Sequence, residues 1–145
     1  MLIQIIGVAI AIGAFAILLE TPRKYIIYTA LTGAIGGGSF LILLECGVNE
    51  TASYFLSAFL ITVCSNILAK MLKSPVTVYL IAGILPTVPG AGVYQVAYNM
   101  MVGNQELSVY YLLETLKFAG AISLGIFLAE TIFRVIMREL IYRKS

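Results

Sequence analysis

The chain has 145 residues, of which 61% are hydrophobic and 11% are charged, and its mean hydropathy is +1.01. A soluble domain carries about 25% charged residues, so this composition predicts an integral membrane protein. Histidine is absent, and the two cysteines, Cys46 and Cys64, have no metal-ligand spacing. No phosphate-binding loop or nucleophile–base pair is visible, and the basic residues form no run suited to nucleic acid. The sequence therefore predicts neither an enzyme nor a protein with a cofactor or metal.

The first three predicted spans are uncharged runs of about 20 residues, the length that an α-helix needs to cross a bilayer. They cover residues 1–19, 25–44 and 51–69. The first run could also be a secretory signal peptide, because Ala14-Phe15-Ala16 resembles a cleavage site. Positive charge follows this run, at Arg23 and Lys24, instead of preceding it, which favours a retained membrane helix.

The fourth predicted span, residues 76–102, is interrupted by Pro86 and by the segment Pro89-Gly90-Ala91-Gly92. Two prolines remove two backbone donors, and their rings block the carbonyls one turn earlier. In lipid such a break is expected to be buried in protein or to line a hydrated cavity, because unpaired backbone groups are costly there. We therefore predict a discontinuous helix that borders a solute pathway. The alternative is an ordinary proline kink, or a short re-entrant turn that only packs.

The fifth predicted span, residues 110–134, completes an all-α fold in which residues 1–145 form a single transmembrane domain. Five spans place eight of the nine basic residues on one side of the membrane and leave Lys117 with four glutamates on the other. The eight are Arg23, Lys24, Lys70, Lys73, Arg134, Arg138, Arg143 and Lys144. The positive-inside rule then predicts an outside N-terminus and a cytoplasmic C-terminus.

Polar and small residues around the break form the candidate solute pathway. Gln95 and Asn99 lie four residues apart and so share one helical face just after the break. Their amides could instead only bond neighbouring helices, and both roles are common in membrane spans. The predicted pathway residues are Pro86, Thr87, Pro89, Gly90, Gly92, Tyr94, Gln95 and Asn99.

Glycines remove side-chain bulk from the second predicted helix, at Gly33, Gly36, Gly37 and Gly38. Small residues let helices approach closely, so helix packing is the favoured role. The alternative is that this thin helix lets the broken one move or lets solute pass. Asn66 in the third span poses the same question, and packing is again favoured.

Two glutamates of the last helix are candidates for ion coupling. Glu114 lies three residues before Lys117 and Glu130 four residues before Arg134, which are spacings of helical ion pairs. Simple interfacial snorkelling is the favoured interpretation. The sharper hypothesis is that Glu114 or Glu130 takes part in proton coupling.

The string Lys73-Ser74-Pro75 followed by Leu85-Pro86-x-x-Pro89-Gly90-Ala91-Gly92-x-Tyr94 resembles the threonine/serine exporter family. It is similar to the C-terminal half of that family, which in many bacteria is a separate small subunit. The pattern Gly33-x-x-Gly36-x-Gly38 and the five-span layout also fit, so the resemblance covers nearly the whole chain. A basic residue that follows the glycine-rich stretch in some relatives is replaced here by Phe40.

This resemblance implies a transporter of the bacterial or archaeal inner membrane that exports small amino acids or, in some members, small dicarboxylates. It also implies a second, larger membrane subunit with five spans of its own, which would form an inverted pair with this chain. By motif it implies Pro86, Pro89, Gly90, Gly92 and Tyr94 as site residues. The alternative function is a non-transporting assembly subunit of a larger complex, and a higher oligomer is compatible with either.

Overall fold

The computed structural model describes residues 2–142, so Arg143 and Lys144, which the charge count above includes, lie outside the described residues. Within this range the chain consists of helices joined by short turns, without strands, and the predicted all-α class is confirmed. The helices are α1 (Leu2–Leu18), α2 (Arg23–Glu45), α3 (Glu50–Leu72), α4 (Thr77–Ile84), a 3-10 turn (Leu85–Thr87), α5 (Gly90–Met101) and α6 (Gln105–Tyr142).

Three helices of the described chain are long and apolar enough to cross a membrane: α2, α3 and the Gln105–Glu139 part of α6. The segments Thr77–Thr87 and Gly90–Met101 pass the same test together, although they are bent by 52° relative to each other. They make a fourth span if the bent pair crosses as one broken helix. The apolar α1 has 17 residues, which reach about 25 Å, somewhat less than a typical hydrocarbon core. The structure thus supports a membrane protein with three or four candidate spans.

Local signals determine where the helices begin and end. After α1 and α3 the chain turns through left-handed backbone at Glu20 (φ 55°) and Lys73 (φ 49°). A proline follows two residues later in both cases, Pro22 and Pro75, and prevents the helix from continuing. At the start of α3, the side-chain oxygen of Asn49 accepts a hydrogen bond from the Thr51 amide at 3.0 Å, as a helix N-cap does.

One end of the bundle collects basic residues where α2 begins and α3 ends. Tyr25, Ala69 and Tyr79 form a buried cluster there, between α2, α3 and α4. The C-terminal part of α6 reaches the same end, because Lys70 Nζ lies 2.9 Å from Met137 Sδ. We call this end of the bundle the basic end.

The opposite end carries Glu50 at the start of α3, and we call it the acidic end. Here the ring of Tyr54 on α3 packs against Phe118 on α6, with centroids 4.7 Å apart. Further along, Gly125 of α6 lies so close to α3 that a Cβ on it would stand 2.6 Å from the Phe55 carbonyl oxygen. Since α6 begins at residue 105, about its first two turns extend past Glu50 at the acidic end, where α5 packs on α6.

The glycine-rich part of α2 packs on two sides. A Cβ on Gly33 would lie 2.6 Å from Ile12 Cγ1 of α1, and Gly36 directly faces Ile61 of α3. Gly37 and Gly38 also face α1, and all four glycines are buried. Close approach of α2 to its neighbours depends on the missing side chains at these positions.

We expect Gly125→Ala to destabilise the protein by about 1–3 kcal/mol, because the new methyl group would meet α3 backbone that cannot move aside. Gly120→Ala on the same helix is the matched control, since nothing lies within 4 Å of a Cβ there. Thermal unfolding of the two variants in one detergent, followed by loss of the monodisperse peak in size-exclusion chromatography, measures the difference. Equal midpoints would contradict the close packing of α3 and α6.

Candidate functional site

The chain repairs its backbone locally where the fourth helix is interrupted. Pro86 and Pro89 have no amide hydrogen, so the helical hydrogen bonds of this segment are incomplete. The Thr87 hydroxyl donates to the Ile84 carbonyl oxygen at 2.7 Å, and the Val88 amide donates to the Leu85 carbonyl oxygen at 3.3 Å. These bonds satisfy carbonyl groups that would otherwise be exposed to lipid.

A cavity of about 400 Å³ lies where the break meets the first turns of α3 and the N-terminal half of α6. Pockets for small molecules begin at roughly 300 Å³, so a small solute fits here. The lining residues are Glu50, Tyr54, Pro86, Val88, Pro89, Gly90, Ala91, Gly92, Gln95, Tyr111, Glu114, Thr115 and Phe118. The wall therefore combines carboxylate, amide, hydroxyl and aromatic groups around small backbone-exposing residues.

Two carboxylates give the cavity a negative character. Glu50 lies in the first turn of α3, where the positive end of the helix dipole favours a carboxylate. Glu114 on α6 accepts a hydrogen bond from Lys117 Nζ at 2.9 Å, and the two side chains are 31% and 53% exposed. None of the residues that line the cavity in the described chain is basic. Glu50 and Glu114 together thus outweigh the single ammonium of Lys117.

Six of the predicted pathway and coupling residues come together in the cavity wall. They are Pro86, Pro89, Gly90, Gly92, Gln95 and Glu114. The first four belong to the break itself, and Gln95 follows one turn later on α5. Glu114 approaches from a different helix, so the structure joins two features that the sequence treats separately.

Other predicted pathway residues lie elsewhere. Thr87 is buried and bonded to the backbone of the break. Tyr94 is 64% exposed and stacks against Tyr98 on the outer face of α5. The Asn99 side-chain amide donates to the Gln95 carbonyl oxygen at 2.8 Å, within its own helix. These three side chains are not part of the cavity wall.

The remaining candidates are also remote from the cavity. Glu130 lies four turns beyond Glu114 on α6 and pairs with Arg134, Oε2 to guanidinium nitrogen 3.4 Å. The Asn66 amide donates to the Thr62 carbonyl oxygen at 2.9 Å on α3. Both groups are satisfied within one helix and neither lines the cavity.

The sequence did not predict a pathway role for five residues that line the cavity, which are Glu50, Tyr54, Tyr111, Thr115 and Phe118. A signal was present on α6, because residues 111, 115 and 118 share one helical face with Glu114. What the sequence lacks is the information that this face of α6 meets the break.

The position of α5 depends on two contacts with α6. A Cβ on Gly92 would collide with the Thr115 hydroxyl, so glycine permits the close approach of the two helices. In the middle of α5, the Val96 carbonyl oxygen accepts a hydrogen bond from the Ser108 hydroxyl at 3.0 Å. No other element of the described chain packs extensively on α5.

A bundle of apolar helices with a polar cavity at an interrupted helix has the architecture of a membrane transporter. The family model described as Threonine/Serine exporter, ThrE, matches residues 4–132, and the chain belongs to this family. The family indicated by the sequence motif is thereby confirmed. It is a family of transporters and not of enzymes, which places the chain in a membrane and assigns it to transport of small solutes. No solved structure matches the chain.

We expect Gly92→Ala to separate α5 from α6, because the Thr115 hydroxyl is held by a 2.7 Å hydrogen bond to the Tyr111 carbonyl oxygen. The variant should lose about 1–3 kcal/mol of stability. Adding Thr115→Ala should recover most of the lost stability. Gly90→Ala, whose new methyl group meets nothing within 4 Å, should leave the stability unchanged. Melting midpoints in detergent measure all three variants. Failure of Thr115→Ala to rescue would show that the two helices are not held by this contact.

Proposed function

We propose that this chain is the small subunit of a two-component secondary transporter that exports small amino acids, of the threonine or serine type, or small carboxylates across the inner membrane. The observation that carries the proposal is the cavity of about 400 Å³ at the interrupted helix. It lies in a chain of the threonine/serine exporter family, so a solute site at this break is the simplest use of the cavity.

The charges of the cavity suit a zwitterion better than a dicarboxylate. At the start of α5 the amides of Ala91 and Gly92 have no carbonyl one turn earlier to bond to, and they sit at the positive end of a helix dipole. These donors would receive the solute carboxylate. Glu50 and Glu114 would attract an ammonium group and repel a second carboxylate. A small amino acid is therefore the favoured solute.

A second, larger subunit is supported by the length and position of α6. Its 38 residues reach about 57 Å, whereas the hydrocarbon core of a bilayer is about 30 Å thick. Lipid alone cannot cover the whole helix, and apolar side chains are exposed along it, among them Tyr110, Leu113 and Leu116. A membrane partner with its own spans would cover the part that α5 and α6 extend past α3.

The proposed topology has five spans, with the N-terminus outside and the C-terminus in the cytoplasm. It counts α1 as the first span and the bent pair as the fourth. The gathering of Lys70 and the C-terminal part of α6 at the basic end supports this orientation, since basic residues concentrate on the cytoplasmic side.

The test compares L-threonine export from cells that produce this chain alone, its proposed larger partner alone, or both. We expect export well above background only with both chains, because the proposed transporter has two components and α5 and α6 leave apolar surface for the second one to cover. Tagged chains should also co-purify in a mild detergent. Full export with the larger chain alone would refute a transport role for this one.

The second candidate function is a scaffold that assembles the complex and moves nothing, which the exposed apolar surface of α5 and α6 favours. Gly90→Leu separates the two candidates, because Gly90 faces open space in the cavity. The larger side chain would fill the route without disturbing a contact. A pathway component then keeps its co-purification and loses export, whereas a scaffold with an empty cavity keeps both.

For proton coupling, the cavity position favours Glu114 over Glu130. We expect Glu114→Gln to abolish the response of export to an imposed pH gradient, because it removes a carboxylate from the cavity wall on α6. Glu130→Gln is the matched control on the same helix and should leave the response within about twofold, since an exposed ion pair contributes little. Unchanged responses in both variants would end the coupling hypothesis.

A further inference from the structure

Between the cavity and the basic end, α2 meets α3 and α4 through hydroxyl groups and glycines. The fully buried hydroxyl residues of this contact are Thr29, Thr32, Ser57, Ser65 and Thr87. A Cβ on Gly83 of α4 would lie 3.0 Å from Thr32 Cγ2, which shows how closely the helices approach. We call this contact the hydroxyl seam. It begins at Thr87, beside the cavity, and continues toward Tyr25 and Tyr79.

Most hydroxyls of the seam are bonded within their own helix. Thr29 and Thr32 donate to the carbonyl oxygens four residues earlier on α2, at 3.0 and 2.9 Å. Ser57 instead donates across to the Gly36 carbonyl oxygen at 2.7 Å. In the described chain this is the one side-chain hydrogen bond that joins α2 to α3. Separation of α2 from α3 therefore breaks one side-chain hydrogen bond in addition to their apolar contacts, and the exposed hydroxyls could then bond a polar solute.

Ser65 gives an independent indication that the seam opens. Its hydroxyl is fully buried and, within the described residues, is the one buried side-chain polar atom without a hydrogen-bond partner. It lies one turn from Ile61 and one turn from Ala69, which both face the seam. An unpaired buried hydroxyl disfavours the closed seam relative to one in which a polar molecule reaches it.

Tyr79 closes the seam at the basic end. Its side chain is fully buried, and its hydroxyl lies 2.6 Å from Ser74 Oγ, in the loop that follows α3. Its ring stands edge-on to Tyr25, with centroids 5.9 Å apart. The two rings therefore occupy the end of the seam that lies nearest the basic end.

We propose that the hydroxyl seam is the inner part of the solute route, connecting the basic end to the cavity, and that Tyr79 is its gate. This inference rests on the proposed transport function. In a transporter that alternates access, the site opens to one side while the other side is closed. The opposing interpretation is that small hydroxyl residues only let these helices pack closely. That interpretation requires a seam that stays closed throughout transport.

Cysteine accessibility distinguishes an opening seam from a permanent one. Cys46 and Cys64 are first replaced by serine, and Ser65→Cys is then introduced into the complex of both chains in membrane vesicles. Ile67→Cys, two residues on and on the outer surface of the same helix, is the matched control. A small charged methanethiosulfonate reagent is added to each face separately, with and without L-threonine.

We expect L-threonine to raise the labelling rate of Ser65→Cys about tenfold or more from the face at the basic end, since reaction needs a hydrated thiol. Ile67→Cys should stay slow because it faces lipid. Slow labelling of Ser65→Cys while export continues would overturn the proposal, with the proposed function intact. If the two chains together did not export L-threonine, the proposed function would be refuted and, with it, the gate.

A second measurement needs no cysteine, so it tests the gate even if the Ser65→Cys variant does not fold. Tyr79→Phe removes only the hydroxyl that is bonded to Ser74, and should change the export rate roughly fivefold, as expected for loss of one hydrogen bond that holds a gate closed. Ser74→Ala should do the same, and the double variant should equal either single one. Tyr28→Phe, on the lipid-exposed side of α2, is the control. Equal effects of Tyr79→Phe and Tyr28→Phe would overturn the gate.

Discussion

A backbone that passes through lipid must pair its own polar groups, and the break between α4 and α5 is built around this constraint. The chain inserts Pro86 and Pro89 into an apolar segment and then compensates with the Thr87 hydroxyl and a 3-10 bond. Because these hydrogen bonds form within the break itself, the break can pack against protein without a water molecule at each of its backbone polar groups. The interruption therefore costs little free energy, and its main effect is to change the direction of the chain. The chain leaves α4 at 52°, and the space beside this bend is the cavity.

Two glycines then fix how wide that space is. Gly125 lets α6 contact the backbone of α3, and Gly92 lets α5 lie directly against Thr115 of α6. The walls of the cavity come from these same three helices, with Tyr54 on α3, Phe118 on α6 and the first turn of α5. Any change in helix spacing at Gly125 or Gly92 therefore changes the distance between the cavity carboxylates and the amides of α5, although each glycine contact involves only a few atoms.

The sequence predicts the helices and the break well, because both depend on local properties. Uncharged runs predict residues 25–44 and 51–69, and the helices observed there are Arg23–Glu45 and Glu50–Leu72. The last helix, α6, begins earlier than the predicted residue 110, at Gln105. Hydropathy omits this polar first turn, where the Asn104 side chain accepts a hydrogen bond from the Leu107 amide at 3.3 Å. The extra turn matters, because α5 packs on this part of α6.

The composition of the site was less predictable, because it depends on which face of α5 meets α6. Tyr94 and Gln95 are adjacent in sequence, yet Gln95 lines the cavity and Tyr94 faces away. Spacing identifies residues that share a face but does not say what that face meets. Glu50 illustrates the same limit, since its role follows only from the packing of α3 beside the break. Helix periodicity can be read from one segment, whereas the cavity depends on how three helices pack together.

The chemistry of the proposed route changes along its length in a way that suits transport. Carboxylates at Glu50 and Glu114 provide strong, charge-selective attraction at the cavity, whereas the seam beyond offers only neutral hydroxyls. A solute must bind well enough to be selected and weakly enough to leave. A second set of charges deep in the seam would hold a zwitterion too tightly, and an apolar seam would exclude it because burial of unpaired charge is costly. Hydroxyls that are already bonded to their own helices, such as Thr29 and Thr32, can bind the solute weakly and return to their backbone partners when it leaves.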